Sequence, residues 1–300
     1  MDAETYAAFD ARIEEAWDLV LSDPHRSRSL NEAILATLPP EAPPALRGLV
    51  LRNQSVLDSL GGKLDEAIEH GLQASEQLSG AGNIKAAGSA ELTLARAYGN
   101  LGLPDRAIGH AAQALAWSRE TDEGRAIGMA LAELARLYLQ VGKTDEARSL
   151  AQEAISIAEG ISELGPVSRA SVVLGRLAQA EGNLEDAAAL FARAEAIATK
   201  NQASAGIVDS SISLGKVQIA AGEAEAAIRT LERACVVARQ HGLVQFLTDA
   251  VHHLARAQLL AGHPDEGSAS LKEAVALCGT EHNLPTAIAC LRELATIRER

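Results

Sequence analysis

The sequence predicts an all-α solenoid of antiparallel helix pairs, and three observations predict it. Glycine recurs every 40 residues, at Gly62, Gly102, Gly142, Gly182, Gly222 and Gly262. Alanine keeps the same period at Ala74, Ala114, Ala154, Ala194, Ala234 and Ala274. Hydrophobic residues make up 47% of the chain and aromatics only 3%, the balance of helices packed closely through small residues rather than of sheets. A fixed period of this length marks a repeat array. Each repeat of an array packs only on its neighbours, so 300 residues are expected to form one elongated domain, 1–300, where a single compact core would be overextended.

The elements follow in order. Residues 4–21 and 24–38 read as a degenerate helix pair, with Trp17, Leu30 and Ala33 near the repeat's consensus positions. A divergent first pair is what a cap looks like. The Pro-rich loop LPPEAPP (38–44) separates it from the first good repeat, so 1–44 is cap and loop. Six turns then align on the period: GKLDEA from Gly62, then GLPDRA, GKTDEA, GNLEDA, GEAEAA and GHPDEG from Gly262. Each glycine ends a helix in the left-handed region at little steric cost, so Gly142 is expected at positive φ. Pro104 and Pro264 suit a first helical turn, where the missing N–H costs nothing. The acids that follow, such as Asp105 and Asp145, oppose the positive end of the helix dipole. First helices are expected over 45–60, 84–101, 124–141, 164–181, 204–221 and 244–261. Second helices are expected over 64–79, 104–120, 144–160, 184–199, 224–240 and 264–278. The six repeats fill 45–282. Small residues recur where helices should touch: Ala95, Ala135, Gly175, Gly215 and Ala255 on first helices, and Ala67, Ala107, Ala147, Ala187 and Ala227 on second helices.

Residues 284–300, within a C-terminal region 283–300, repeat the first-helix pattern with Leu294 and Ala295. The stripe Ile288, Leu291, Ala295 and Ile297 is expected to cover the second helix of the sixth repeat. Two readings stay open for this helix. It is a terminal cap, or the chain continues and part of the stripe is free to make a homodimer.

Leu134-Ala135, Tyr138, Gly142, Asp145-Glu146-Ala147 and Ala154 together resemble the tetratricopeptide repeat (TPR), and Tyr98, Gly102, Asp105, Ala107 and Ala114 match nearly as well. The resemblance covers 45–278 in six copies. The chain departs from that family in two ways. The usual repeat is 34 residues, and the usual proline after the second helix is replaced by Ser79, Arg119, Glu159, Thr199, Arg239 and Gly279. Without that stop each helix gains about a turn. Long repeats of this kind resemble those of bacterial sensor-regulators and of animal polarity adaptors. The resemblance implies a right-handed superhelix whose first helices line a concave groove. The residue after each Leu–small pair then faces the groove: Val56, Arg96, Arg136, Arg176, Lys216, Arg256 and Thr296.

Five consecutive repeats thus carry a cation at one groove position, in a chain of net charge −13. Rungs of packed helices stand roughly 10 Å apart. Like charges at that distance repel by about 0.4 kcal/mol in water and about 1.7 kcal/mol at an effective dielectric of 20. Something should offset this: a carboxylate of the same or the next repeat, or an acidic or carboxylate-bearing ligand. Arg136 has Glu133 one turn away, but Arg96 has Thr93 and Asn100, Arg176 has Val173 and Ala180, and Lys216 has Ser213 and Ala220. Mostly without local partners, the ladder is free for inter-helix pairing or for ligand. Asn53, Asn100, Gln140, Gln179 and His252 extend the polar surface and can hold a peptide backbone. Leu92, Met129, Leu139, Val172, Ile212 and Ile219 would pack a ligand's side chains, or belong to the core between repeats. The candidate ligand-binding residues are therefore Arg96, Asn100, Arg136, Gln140, Arg176, Gln179, Lys216, His252 and Arg256.

Other chemistry is not expected. Acidity argues against nucleic acid and anionic membranes as direct partners. No run approaches the 18 apolar residues of a membrane span. The acidic N-terminus lacks a signal-peptide pattern, and Cys235, Cys278 and Cys290 without a CxxC read as reduced thiols, so a cytoplasmic protein is expected. Asp249, His252 and His253 have i, i+3 and i+4 spacing, but adjacent histidines diverge on a helix and no further ligand is evident. Cys278-x3-His282-x7-Cys290 fits no standard zinc spacing, so neither metal nor cofactor is expected. There is no HExxH, no GxSxG and no strand-borne phosphate loop, so no enzyme is expected. The sequence points to a protein- or peptide-binding groove that meets acidic groups or a free carboxylate. Two further readings stay open: a sensor domain of a larger bacterial regulator, responding to a small ligand or signalling peptide, and a structural assembly scaffold.

Overall fold

The computed structural model describes residues 3–278 and 284–298, with side chains described for 6–278 and 286–296. It is helical throughout. The cap pair is α1 (Ala3–Leu19) and α2 (Pro24–Thr37). The six repeats are α3 (Pro44–Leu60) with α4 (Leu64–Gly80), α5 (Ile84–Asn100) with α6 (Pro104–Glu120), and α7 (Gly124–Gln140) with α8 (Thr144–Gly160). They continue as α9 (Leu164–Ala180) with α10 (Leu184–Lys200), α11 (Ser204–Ala220) with α12 (Ala224–Gln240), and α13 (Val244–Leu260) with α14 (Pro264–Leu277), before α15 (Leu284–Arg298). Each expected helix lies within a residue or two of its place. Among the described residues no helix is long and apolar enough to cross a membrane.

The chain divides into two compact units, 1–173 and 174–300. Within the first, α3 packs on α4, α4 on α5, and so on to α8; within the second, the same holds from α10 to α15. First helices of neighbouring repeats also touch, α3 with α5, α5 with α7, and α11 with α13. Among the described residues the second helices make no comparable contact, so in each unit the first helices form the inner layer.

The repeat is finer than 40 residues. From α3 to α13 every helix has 17 residues and every connection three, so the backbone repeats every 20. The periodic glycines sit as expected, Gly142 at φ 78° and Gly62 at φ 80°. The Gly142 turn is a Schellman closure: the Lys143 N–H donates to the Tyr138 carbonyl at 2.8 Å and the Gly142 N–H to Leu139 at 3.1 Å. The turns after the second helices close in the same way, with Ala203 donating to Ala198 at 2.9 Å. Their left-handed residue is glycine at 82 and 242, but Asp122, Ser162 and Gln202 take it at φ 50°, 58° and 52°. The left-handed conformation costs an L-residue about 1 kcal/mol or more. Gln202 is exposed, so Gln202→Gly should raise the stability measured in urea by about 0.5–1 kcal/mol. No gain would mean that the turn relaxes this strain by another route.

Small residues let the helices approach. Ala95, Ala135 and Ala255, and Ala67, Ala107, Ala147, Ala187 and Ala227, are fully buried. Gly175 and Gly215 face larger partners: a Cβ on Gly175 would lie 2.6 Å from the Phe191 ring, and one on Gly215 2.7 Å from Leu231. The corresponding pairs in the first unit are Ala95 with Ala111 and Ala135 with Ala151, so a glycine on the first helix stands where the second helix carries a large side chain.

The cap pair docks through α3. Asp23 caps α2 by accepting from the Arg26 N–H at 3.1 Å. Arg52 stacks over Trp17 at 3.8 Å. Asn53, expected on the groove, is instead fully buried and donates to the Ile13 carbonyl at 3.0 Å. At the other end the expected face of α15 is not the packed one. Ile288 and Leu291 are exposed at 41% and 54%, and Ala295 is exposed too, while Cys290 is buried. The Ile297 side chain lies outside the described residues. The reason is register: Thr248, Val251 and Ala255, one period earlier, are the residues buried under α14, and α15 presents that same face open. All three cysteines are free and buried, and burial pushes the thiols of Cys235 and Cys290 up to about 11.

Candidate ligand-binding face

All nine candidate side chains lie on first helices, hence on the inner layer of their unit. A ladder residue stands midway along each first helix, flanked by the buried small residue that sets helix contact. Arg96, Arg136, Arg176 and Lys216 are partly buried and Arg256 is exposed, the usual disposition of long cations near a surface.

In the first unit the ladder is built around one buried acid. Glu133 on α7 is 2% exposed. Arg136 of the same helix donates to its Oε1 from Nε at 2.9 Å and from Nη2 at 2.5 Å. Arg96 approaches Oε2 from α5, one repeat earlier, at 3.5 Å. Burial by itself raises the pKa of Glu133, but the Arg136 and Arg96 guanidiniums more than reverse this and hold it at about 2. Both arginines are roughly three-quarters covered. Gln140 donates to the Gly99 carbonyl of the preceding repeat at 3.1 Å, and Asn100 is exposed.

In the second unit the pairing has a different register. Arg176 donates to Asp209 Oδ1 at 2.6 Å and reaches Ser213 Oγ at 3.5 Å. Lys216 donates to Asp249 Oδ2 at 3.0 Å. In both cases the acid lies 33 residues after the cation, on the next first helix. The same register gives Arg256 the residue Ala289, and Arg256 is exposed with no ion pair among the described residues. Gln179 is partly buried. His252 places Nε2 3.3 Å from Glu293 Oε1. Burial raises the pKa of Asp249, but the hydrogen bond with His253 and the Lys216 ammonium outweigh it and hold the carboxyl well below the usual range. Burial lowers the pKa of His253, offset in part by Asp249.

The two halves differ in what their cations can give up. Arg176 and Asp209 are each 35% exposed, and Lys216 and Asp249 33% and 43%. Ion pairs this open contribute about 0.2–1 kcal/mol, so an incoming carboxylate can take the place of the aspartate. Glu133 cannot be released in this way. Stripping a buried charge of its partners costs about 3–5 kcal/mol. Of the apolar groove candidates, Leu92, Val172 and Ile212 are buried, whereas Met129, Leu139 and Ile219 are partly exposed and stay accessible.

Glu133 was found one turn from Arg136, but its approach to Arg96 and the acids Asp209 and Asp249 were missed because pairing was sought on the same helix. The signal was present in the 40-residue alignment, 33 or 37 residues after a rung.

In sequence, residues 19–276 match the family described as the MalT-like TPR region. No curated protein matches the chain. Among solved structures it is similar to NprR in complex with its cognate peptide NprX, at 14% identity and TM-score 0.67, covering 100% of this chain and 89% of that one. It is similar to a Rap protein complexed with competence and sporulation factor, at 16% identity and TM-score 0.56, covering 98% of both chains. The apo form of the quorum sensor NprR from B. thuringiensis is similar at 15% identity and TM-score 0.54, covering 96% of this chain and 86% of that one. At these identities the likeness is one of fold.

Proposed function

The chain belongs to the MalT-like TPR region family, and on that premise we propose that it is a non-enzymatic, cytoplasmic module that binds a peptide or protein segment on its first-helix face. The single observation that carries this reading is the run of partly exposed, exchangeable cations on the inner layer of the second unit: Arg176, Lys216 and the uncommitted Arg256. They would meet acidic side chains or a free carboxylate, while Gln179 and His252 hold backbone and Ile219 packs an apolar side chain. In the first unit Asn100 and Gln140 offer the backbone contacts, and Arg96 and Arg136 present what Glu133 leaves of their charge. The fold likeness to NprR with its peptide NprX and to Rap with competence and sporulation factor supports the same reading.

The test is fluorescence anisotropy with a panel of labelled peptides, acidic and neutral, with free and amidated C-termini. Acidic or free-carboxylate peptides should bind, and more weakly as salt is added, because partly exposed charges are screened over about a Debye length. Arg176→Gln with Lys216→Gln should weaken binding at least tenfold while shifting stability by no more than about 2 kcal/mol, the loss of two open ion pairs. A panel in which charge makes no difference, or a double variant that binds as the parent does, would sink the proposal.

The sensor reading is favoured by one observation, the similarity over nearly the whole chain to NprR, a quorum sensor. In that case the peptide is a signal, and binding alters the stacking of repeats to act on another domain or protein.

A further inference from the structure

Asp249, His252 and His253 on α13 form a cluster that peptide binding does not use as a unit. One donor atom from each lies within 4.8 Å of the other two. The imidazole rings are 5.1 Å apart and tilted by 31°, so two side chains that start about 100° apart around the helix turn toward one another. Asp249 Oδ1 stands 3.3 Å from His253 Nε2. That separation lets both atoms ligate one tetrahedral zinc with bonds of about 2.0–2.1 Å.

The surroundings point the same way. His253 is 8% exposed, so its Nε2 is offered to the cluster from a largely buried ring. Behind His252, Glu293 of α15 places Oε1 3.3 Å from Nε2, and its Oε2 is buried without a partner. Behind Asp249, Lys216 holds Oδ2 at 3.0 Å and leaves Oδ1 to the cluster. A carboxylate behind a ligating imidazole and a donor behind a ligating carboxylate are the outer contacts that orient metal ligands.

We propose that Asp249, His252 and His253 bind a divalent transition metal of the zinc class, with Glu293 orienting His252 and water completing the coordination. Two imidazoles and one carboxylate suit zinc rather than magnesium or calcium, which take oxygen ligands. The nearby Lys216 ammonium opposes the ion and keeps the affinity below that of a closed structural site. Through Glu293 the ion would fasten α15 to α13. The sequence places Asp249, His252 and His253 at i, i+3 and i+4 but shows no further partner, because Glu293 comes to His252 only when α15 stacks. His252 and Lys216 serve both sites, so zinc is titrated without peptide and its failure would leave the peptide reading standing.

The experiment uses the full chain, freed of metal with a chelator and titrated with zinc chloride by calorimetry and thermal melting. It should take up one zinc per chain and melt several degrees higher, and magnesium should do neither. His252→Gln and Asp249→Asn should each weaken zinc at least about tenfold. Cobalt bound to the unaltered chain should give the visible bands of a four-coordinate nitrogen–oxygen site with no thiolate charge-transfer band, a readout that needs no variant to fold. No uptake at stoichiometric zinc, uptake undiminished in the variants, or a thiolate band from the cysteines would overturn the assignment.

Discussion

Phe191→Ala should destabilise the chain by about 3–5 kcal/mol in urea unfolding, among the largest losses from a single apolar truncation here. The ring is fully buried between α10 and the glycine of its own repeat. Gly175→Ala should also destabilise, by about 1–3 kcal/mol, because its Cβ would enter the ring at 2.6 Å. Made together, the two changes should cost clearly less than the sum of the singles. They turn the Gly175–Phe191 pair into the alanine pair that Ala95 and Ala111, or Ala135 and Ala151, already form. A double-mutant cycle measures this coupling directly. Simple additivity would mean that the cost of a side chain at position 175 does not come from the Phe191 ring.

Glu133→Gln should cost about 3 kcal/mol at neutral pH, and the cost should depend on pH in a defined direction. Despite the penalty of burial, Arg136 and Arg96 lower the Glu133 pKa from 4.5 to about 2. A group whose pKa is lower in the folded state than in the unfolded one stabilises fully above the unfolded value. That contribution fades as the pH falls from about 4.5 toward 2. Each pKa unit is worth about 1.4 kcal/mol, which sets the size of the effect. Urea midpoints of parent and variant should therefore lie far apart at pH 7 and converge near pH 2. A constant gap across that range would show that Glu133 contributes by shape rather than by charge.

The sequence made the helices legible because their stops are chemical. A glycine every 40 residues needs no tertiary context to be read as a left-handed turn, and Pro104 and Pro264 mark helix starts in the same way. The intervening turns were harder, since only Gly82 and Gly242 announce them. At Asp122, Ser162 and Gln202 the fold imposes positive φ on residues that do not favour it. The ladder cations were found by position alone, but what they meet depends on how one first helix stacks on the next. Arg176 and Lys216 find Asp209 and Asp249 across that stack, whereas Arg96 finds the buried Glu133 by a different offset. The α15 stripe was misjudged for a related reason. Its apolar spacing shows that a face exists, but which face α14 covers follows from the register of Thr248, Val251 and Ala255.

The measurement that tests the central claim most directly is photo-crosslinking of a bound acidic peptide, with the sites located by mass spectrometry. A photoreactive group beside the peptide's acidic residue should label the first helices of the second unit, at or next to Arg176, Lys216 and Arg256. Unlabelled peptide should compete the labelling away. Competed labelling on the second helices α10, α12 and α14, with the first helices untouched, would contradict the account.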